Sequence, residues 1–332
     1  MKHQINFFQI LIPQLVQVID SLINQQAYKR VVKLMGNRFE ITVVSDDAIW
    51  AEERIDDAVT EISRIEKLLT TFNESSQTAA INKMAGIEPV TVDKEVFDLI
   101  FRSLKISFLT QGAFDITYGS LDKSLWNFDV NMTALPSKET ARKMVRLINY
   151  RNVVLDEERC TVFLKEKGMR IGFGGIGKGY AADKAKLLLQ RKGVKSGVVN
   201  ASGDLVTWGA QPDGKAWTVG IANPYARLQP FSYLEIGDMA IATSGNYEKF
   251  AMINGKKYSH TIDPKTGLPV SGIKSVTILC PGAELADALA TPVMVMGVNA
   301  GLHLINQMKN IACIIIDDND SIYTSDNIKI GR

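Results

Sequence analysis

The sequence predicts an α+β fold, and three observations carry that prediction. Stretches rich in β-branched residues come in hairpin groups joined by short turns, which is the pattern of antiparallel pairing. Helical stretches do not alternate with them one for one, as a doubly wound parallel sheet requires. The chain has 332 residues, 46% of them hydrophobic, and no internal repeat or Gly/Ser/Pro-rich linker divides it. A single large domain with one sizeable core is therefore expected, behind a short N-terminal appendage.

The appendage comprises residues 1–28, with the domain proper over 29–332. Phe7, Phe8, Leu11, Leu15, Val18, Leu22 and Ile23 lie near helical spacing, so an amphipathic helix is expected. Gln9, Gln14 and Gln17 interrupt the apolar run, and no small-residue cleavage site follows, unlike a signal peptide. The run is also too short and too polar to span a bilayer. A soluble, cytoplasmic chain is the expectation. The helix would then dock on its own domain, on a partner, or weakly and reversibly on a membrane surface.

Residues 30–44 read as strand, Gly36-Asn37 turn and strand. Asp46 and Asp47 then open a long helix to about Leu69, with Ile55, Val59, Ile62 and Leu69 on its apolar side. A second helix is expected from Asp93 to Leu109, and a third after Pro136-Ser137. "NVVLDEERCTVFL" is a hairpin pattern, and "AADKAKLLLQRKG" ends a helix at Gly193. Short strands follow, with turns at Pro212-Asp213-Gly214 and Asn254-Gly255. An Ala-rich apolar segment at 284–297, a helix after Asn299 and a hairpin around "IIIDDNDSIYT" complete the chain.

The formal net charge is +2 with 22% charged residues, which gives no case for a nucleic-acid surface or a polybasic membrane patch. Cys160, Cys280 and Cys313 form no CxxC pair, which argues against a zinc knuckle or a disulfide framework.

The chemistry concentrates in three places. "IGFGGIGKGYAAD", residues 171–183, contains GxGxxG at Gly172, Gly174 and Gly177, and GxxxxGK ending at Lys178. A P-loop needs Ser or Thr next, to ligate magnesium, and position 179 is Gly. A dinucleotide fingerprint needs a strong strand before it and an acidic residue about 20 residues on. Here the lead-in "KEKGMRI" is weak, and the next strand candidate ends in Asn200. Bare amides, a helix N-terminus and Lys178 still suit an anion, so a phosphate or pyrophosphate site of another kind is inferred, with its metal held elsewhere. In "ELADALATPVMVMG", Asp287 and Thr291 share a helix face and offer the hard oxygens that magnesium prefers, although Pro292 disfavours helix at Thr291. In "SHTIDPKTGLPV", His260 is suited to relay a proton from an incoming hydroxyl. A carboxylate and a hydroxyl in an apolar helix also serve as a cap or as buried hydrogen bonders. A lone histidine is commonly structural. The residues alone leave both readings open.

Seven stretches in this order resemble the FAD:protein FMN transferases, the ApbE family: "KLMGNRFEITV", "GAFDITYGSLDKSLWNF", "GGIGKGYAADKA", "VNASGDLVTWG", "TSGNYEKF", "YSHTIDPKTGLPV" and "DALATPVMVMG". The resemblance covers roughly residues 30–330. It implies an ApbE-like domain of mixed or antiparallel sheets flanked by helices. It also implies an enzyme that takes FAD as substrate with Mg2+ on the pyrophosphate, releases AMP and leaves FMN on a Thr or Ser of an acceptor protein. Met35, Phe72, Ala113, Phe114, Asp115, Lys178 and Ile262 would line the FAD, with Gly172 where family members commonly carry Asp. Asp287 and Thr291 side chains and the carbonyls of Gly175 and Ala290 would hold the metal, and His260 would accept the proton. With water as acceptor the same site would be a metal-dependent FAD pyrophosphatase; without catalysis it would be a flavin carrier.

Overall fold

The first hairpin forms one edge of the main sheet. Strands β1 (Gln26–Leu34) and β2 (Asn37–Ser45) pair antiparallel from Gln26↔Ser45 to Leu34↔Asn37. Their turn is Met35-Gly36, one residue earlier than the expected Gly36-Asn37. Both turn residues are left-handed, at φ 51° and 72°, the geometry that lets a two-residue turn follow the strand twist. The Asn37 side chain donates to the Met35 carbonyl at 2.8 Å and so closes the turn. The computed structural model describes residues 25–121, 134–221, 232–246, 250–253 and 256–328. The helix expected within residues 1–28 falls outside these up to residue 24, as do the Asn254-Gly255 turn, residues 122–128 of the second motif and residues 247–249 of "TSGNYEKF". Because β1 begins at Gln26 and Tyr28 packs on the core, the boundary drawn after residue 28 cuts through a strand.

The sheet continues through β6 (Gly197–Ala201), β7 (Asp204–Trp208), β10 (Ala240–Gly245), β13 (Ile273–Cys280), β14 (Ala312–Asp317) and β15 (Ile322–Thr324). Its order is β1-β2-β6-β7-β10-β13-β14-β15, antiparallel throughout. This is the antiparallel α+β architecture the sequence predicts. Alternation along the strands sorts side chains to two faces. Val206, Ala242, Ile278 and Ile315 join the main core. Their neighbours Leu205, Ile241, Leu279 and Ile314 form a second cluster with Trp217, Val219 and Leu234. Those last three come from the hairpin of β8 (Trp217–Ile221) and β9 (Ser232–Ile236).

Helices cover the main-core face. In α1 (Ala48–Leu69), Asp47 caps the first turn by accepting from Ile49 and Trp50 N–H at 2.9 and 3.0 Å. Ile55, Ile62 and Ile65 are fully buried along one stripe, each contributing about 1.5–3 kcal/mol by burial. A small sheet of β3 (Val90–Thr91), β5 (Thr161–Leu164) and β4 (Val153–Asp156) lies with α2 (Gln77–Lys83) and α3 (Lys94–Leu109). Next come α4 (Lys138–Met144), started by Ser137, and α5 (Gly177–Arg191). A hairpin of β11 (Phe250–Ile253) and β12 (Lys256–Ser259) follows. The last two helices are α6 (Ala283–Met296) and α7 (Val298–Asn306). Helix α6 continues through Pro292, so Thr291 stays helical. Burial of Leu289, Ala290, Val293 and Met294 around the proline outweighs its cost of about 3 kcal/mol. Helix α5 packs between α1 and α6 over β6 and β7, and α6 lies on β10 and β13. The starts of α5 and α6 therefore meet above the centre of the sheet.

Candidate active site

The glycine loop enters α5 without a strand running directly into it, which removes the βαβ-fingerprint reading. Asn82 clamps its base, donating to the Ile171 carbonyl at 3.0 Å and accepting from its N–H at 2.7 Å. Gly172 N–H donates to the Ile116 carbonyl at 3.0 Å. Gly172 and Gly174 face open space, whereas a Cβ on Gly175 would lie 3.5 Å from the Phe114 ring. One on Gly177 would lie 3.6 Å from the Met35 methyl and 3.9 Å from Leu69. Thus Met35, Phe114 and Gly175, named from separate motifs, meet at one loop. Phe72, three residues beyond Leu69, is 99% exposed and presents a bare aromatic face at the end of α1.

Behind the loop lies a buried charge cluster. Lys178 Nζ is 2.8 Å from Asp204 Oδ2 and 3.2 and 3.3 Å from the two oxygens of Asp287. Asp287 Oδ2 also accepts the Gly179 N–H at 3.0 Å. Thr291, one turn along α6, has its hydroxyl 3.3 Å from that of Ser244 on β10. Asp204 and Asp287 are both buried. Two carboxylates sharing one ammonium leave an excess negative charge in a poorly solvated place. Burial, then the charge of Asp287, push the Asp204 carboxyl up to about 7, against the pull of Lys178. Lys178 is itself driven above its ordinary range: burial opposes its charge, but Asp287 and Asp204 outweigh that. The cluster is built to hold one more cation or a proton.

Position 179 explains the missing P-loop hydroxyl. A Cβ there would sit 2.0 Å from the Ala283 carbonyl oxygen and 2.9 Å from Asp287 Cβ. Helices α5 and α6 touch backbone to backbone at this point, and only glycine permits it.

The segment Ala113–Asp115 is buried. Both Asp115 oxygens are engaged within the chain: Oδ1 accepts from Thr117 N–H and hydroxyl at 2.8 and 2.6 Å, and Oδ2 from Tyr150 N–H at 2.9 Å. Burial raises its carboxyl, those hydrogen bonds opposing. Phe114 faces the glycine loop, while Asp115 lines a pocket whose wall also carries Arg142, Tyr150, Arg151 and Lys265. The "IDPKTG" turn packs on α4, with Gly267 against the Ala141 carbonyl. Ile262 is buried and bridges to Pro269. Burial pushes the Tyr118 phenol up to about 12, a hydrogen bond from the Ile262 backbone opposing. His260 is half-buried just after β12.

Contacts therefore join Met35, Phe114, Gly175, Lys178, Asp287 and Thr291 into one neighbourhood, with Ala290 buried beside Thr291. Ile262 and His260 arrive on a separate hairpin packed on α4. Sequence reasoning missed Asp204. Its signal was present: an acid opening a strand, Asp204–Trp208, that is otherwise nearly all apolar and is buried at every residue. Among the described residues no three His, Cys, Asp or Glu side chains cluster as a metal cage. A cation here would rest on the Asp287 carboxylate, the Thr291 hydroxyl and main-chain carbonyls, a hard-oxygen set suited to magnesium, with Asp204 paired to Lys178 beside it.

The ApbE family model matches residues 35–315, a span holding every residue of this neighbourhood. The chain belongs to the ApbE family. An "FAD:protein FMN transferase" of Klebsiella pneumoniae is 31% identical over 304 residues, covering 91% of this chain and 93% of the relative. Among ApbE structures, that of the Thermotoga maritima protein superposes with a TM-score of 0.82 at 30% identity, over 91% of this chain and 97% of its own. The "Flavin Transferase ApbE" of Vibrio cholerae reaches 0.80 at 25% identity, over 91% and 98%. No helix among the described residues is long and apolar enough to cross a membrane.

Proposed function

We propose that this ApbE chain is an FAD:protein FMN transferase that works with Mg2+ and flavinylates a Thr or Ser of an acceptor protein. The observation that carries this reading is the buried Lys178–Asp204–Asp287 cluster, short of one positive charge, behind a glycine loop open to a ligand. Asp287 and Thr291 side chains would hold the metal with the carbonyls of Gly175 and Ala290, and the metal would supply charge neutralisation on the FAD pyrophosphate.

The remaining work falls to the chain. With the Gly172, Ile176, Gly177 and Gly179 N–H groups engaged within the chain, the Gly174 and Gly175 amides would face the pyrophosphate, near a helix end whose dipole favours negative charge. Met35 and Phe114 offer apolar surface to the nucleotide, Phe72 offers a ring for stacking, and buried Ile262 would support the nucleotide from the hairpin beside α4. Ala113 and Asp115 shape the wall behind Phe114, and Gly172 leaves room. His260 accepts the proton of the acceptor hydroxyl as its oxygen attacks the FMN-side phosphorus. The bond from that phosphorus to the bridging oxygen breaks, and AMP leaves carrying that oxygen. FMN stays on the acceptor as a phosphoester. Phosphoryl transfer of this kind depends on positioning and electrostatics more than on covalent chemistry by the protein.

The test is incubation with FAD, Mg2+ and candidate acceptor proteins, followed by in-gel flavin fluorescence. A fluorescent acceptor band that disappears with EDTA supports the proposal. AMP release without any band makes the chain an FAD pyrophosphatase, and neither product makes it a carrier.

A further inference from the structure

We propose that Asp183 is a positioning residue for the metal-ligand helix, capping α6 from α5 and so fixing where Asp287 and Thr291 stand. This rests on the metal reading above. The N-cap of α6 is Gly282, which has no side chain to cap the first turn. The first N–H groups of a helix have no partner within it, and here a residue about 100 positions earlier in the chain supplies one. Asp183 Oδ1 accepts from Ala283 N–H at 2.9 Å, and Oδ2 from Glu284 N–H at 2.9 Å. A carboxylate at this end also meets the positive pole of the helix dipole. A Cβ on Gly282 would come 3.2 Å from Asp183 Oδ2, a tight contact that the bare glycine avoids.

The cap is one rung of a ladder. Gly179 and Asp183 lie four apart on one face of α5, and Ala283 and Asp287 four apart on one face of α6. The first rung is the Asp183 carboxylate on the α6 amides. The second is the Gly179 amide on the Asp287 carboxylate, at 3.0 Å. Arg102 braces the same turn from α3, with a two-pronged contact to Glu284 at 2.6 and 3.0 Å. Asp287 is the fifth residue of α6, so loosening the first turn shifts the carboxylate that would hold the metal. Asp183 touches neither substrate nor metal in this scheme; it acts through α6.

The experiment uses the full chain and Mn2+ alone as probe, followed by electron paramagnetic resonance, with thermal unfolding and amide hydrogen exchange alongside. Asp183→Ala is expected to weaken Mn2+ binding about 10–100-fold, the range for residues that orient metal ligands. Exchange at Ala283 and Glu284 should speed up. Asp183→Asn, keeping one acceptor oxygen, should fall between wild type and Ala, and it carries the test if the Ala variant does not fold. Asp287→Ala is the reference. Should it weaken Mn2+ binding while both Asp183 variants bind like wild type, whatever their melting temperature, Asp183 is only a structural cap and the proposal is overturned. If Asp287→Ala also binds like wild type, or wild type binds no Mn2+, the metal reading falls first and takes this inference with it.

Discussion

Gly179→Ala probes the contact on which the site depends without altering a single charge. The added methyl would start 2.0 Å from the Ala283 carbonyl oxygen and 2.5 Å from its carbon. Carbon atoms in contact settle at about 3.5–4.0 Å, so α5 and α6 must part by roughly 1 Å or more. Overpacking of this kind costs about 1–3 kcal/mol, and backbone against backbone puts it at the upper end. Alanine recovers about 1 kcal/mol over glycine through helix propensity. The expected net loss is about 2 kcal/mol, read from urea unfolding. Because Asp287 moves with α6 while Lys178 and the loop move with α5, the two halves of the site separate. A misplacement of about 1 Å can cost on the order of 100-fold in rate, read from AMP release at saturating FAD and Mg2+. A variant with stability within about 0.5 kcal/mol of wild type and unchanged turnover would refute the close approach.

Three further outcomes are expected. Asp287→Ala should lower metal-dependent AMP release about 100-fold or more with the circular dichroism spectrum intact; wild-type turnover in Mg2+ would remove Asp287 from the site. His260→Ala should lower turnover roughly 100- to 10,000-fold with little change in the FAD dissociation constant, whereas weakened FAD binding with intact turnover would make His260 a binding residue. Glu95 is held down to about 2, first by its hydrogen bond from Arg64, with burial opposing and Tyr180 adding to it. Its contribution to stability is therefore present above the ordinary carboxylate value near 4.5 and fades as pH falls toward 2. The urea-midpoint gap between wild type and Glu95→Gln should accordingly shrink between pH 7 and pH 3, and a gap that stays constant would contradict this.

Local signals in the sequence foretold the elements well, because caps and periodicity are short-range. Asp47, Asp93 and Ser137 stand where helices begin, and Gly193, at φ 93°, follows the end of α5. The hairpin at Met35-Gly36 was off by one, since either residue beside Gly36 can complete the turn and only the register with β2 decides. Pro292 counted against helix at Thr291 because its cost is local and the burial that offsets it is not. The site was legible as motifs, and Asp287 with Lys178 were both named. Their ion pair was not visible, since it spans 109 positions and forms only where α5 crosses α6. Asp204 and Asp183 were hidden for the same reason. Each reads as an ordinary acid in its own segment, and its meaning comes from a helix or lysine far along the chain.

Transfer of FMN to a protein leaves a paired signature: AMP and acid-stable, protein-bound flavin, quantified in the same sample with FAD, Mg2+ and an acceptor. The two should rise together in equal amounts, and both should vanish when EDTA removes the metal. AMP accumulating with no protein-bound flavin for any acceptor would contradict that transfer.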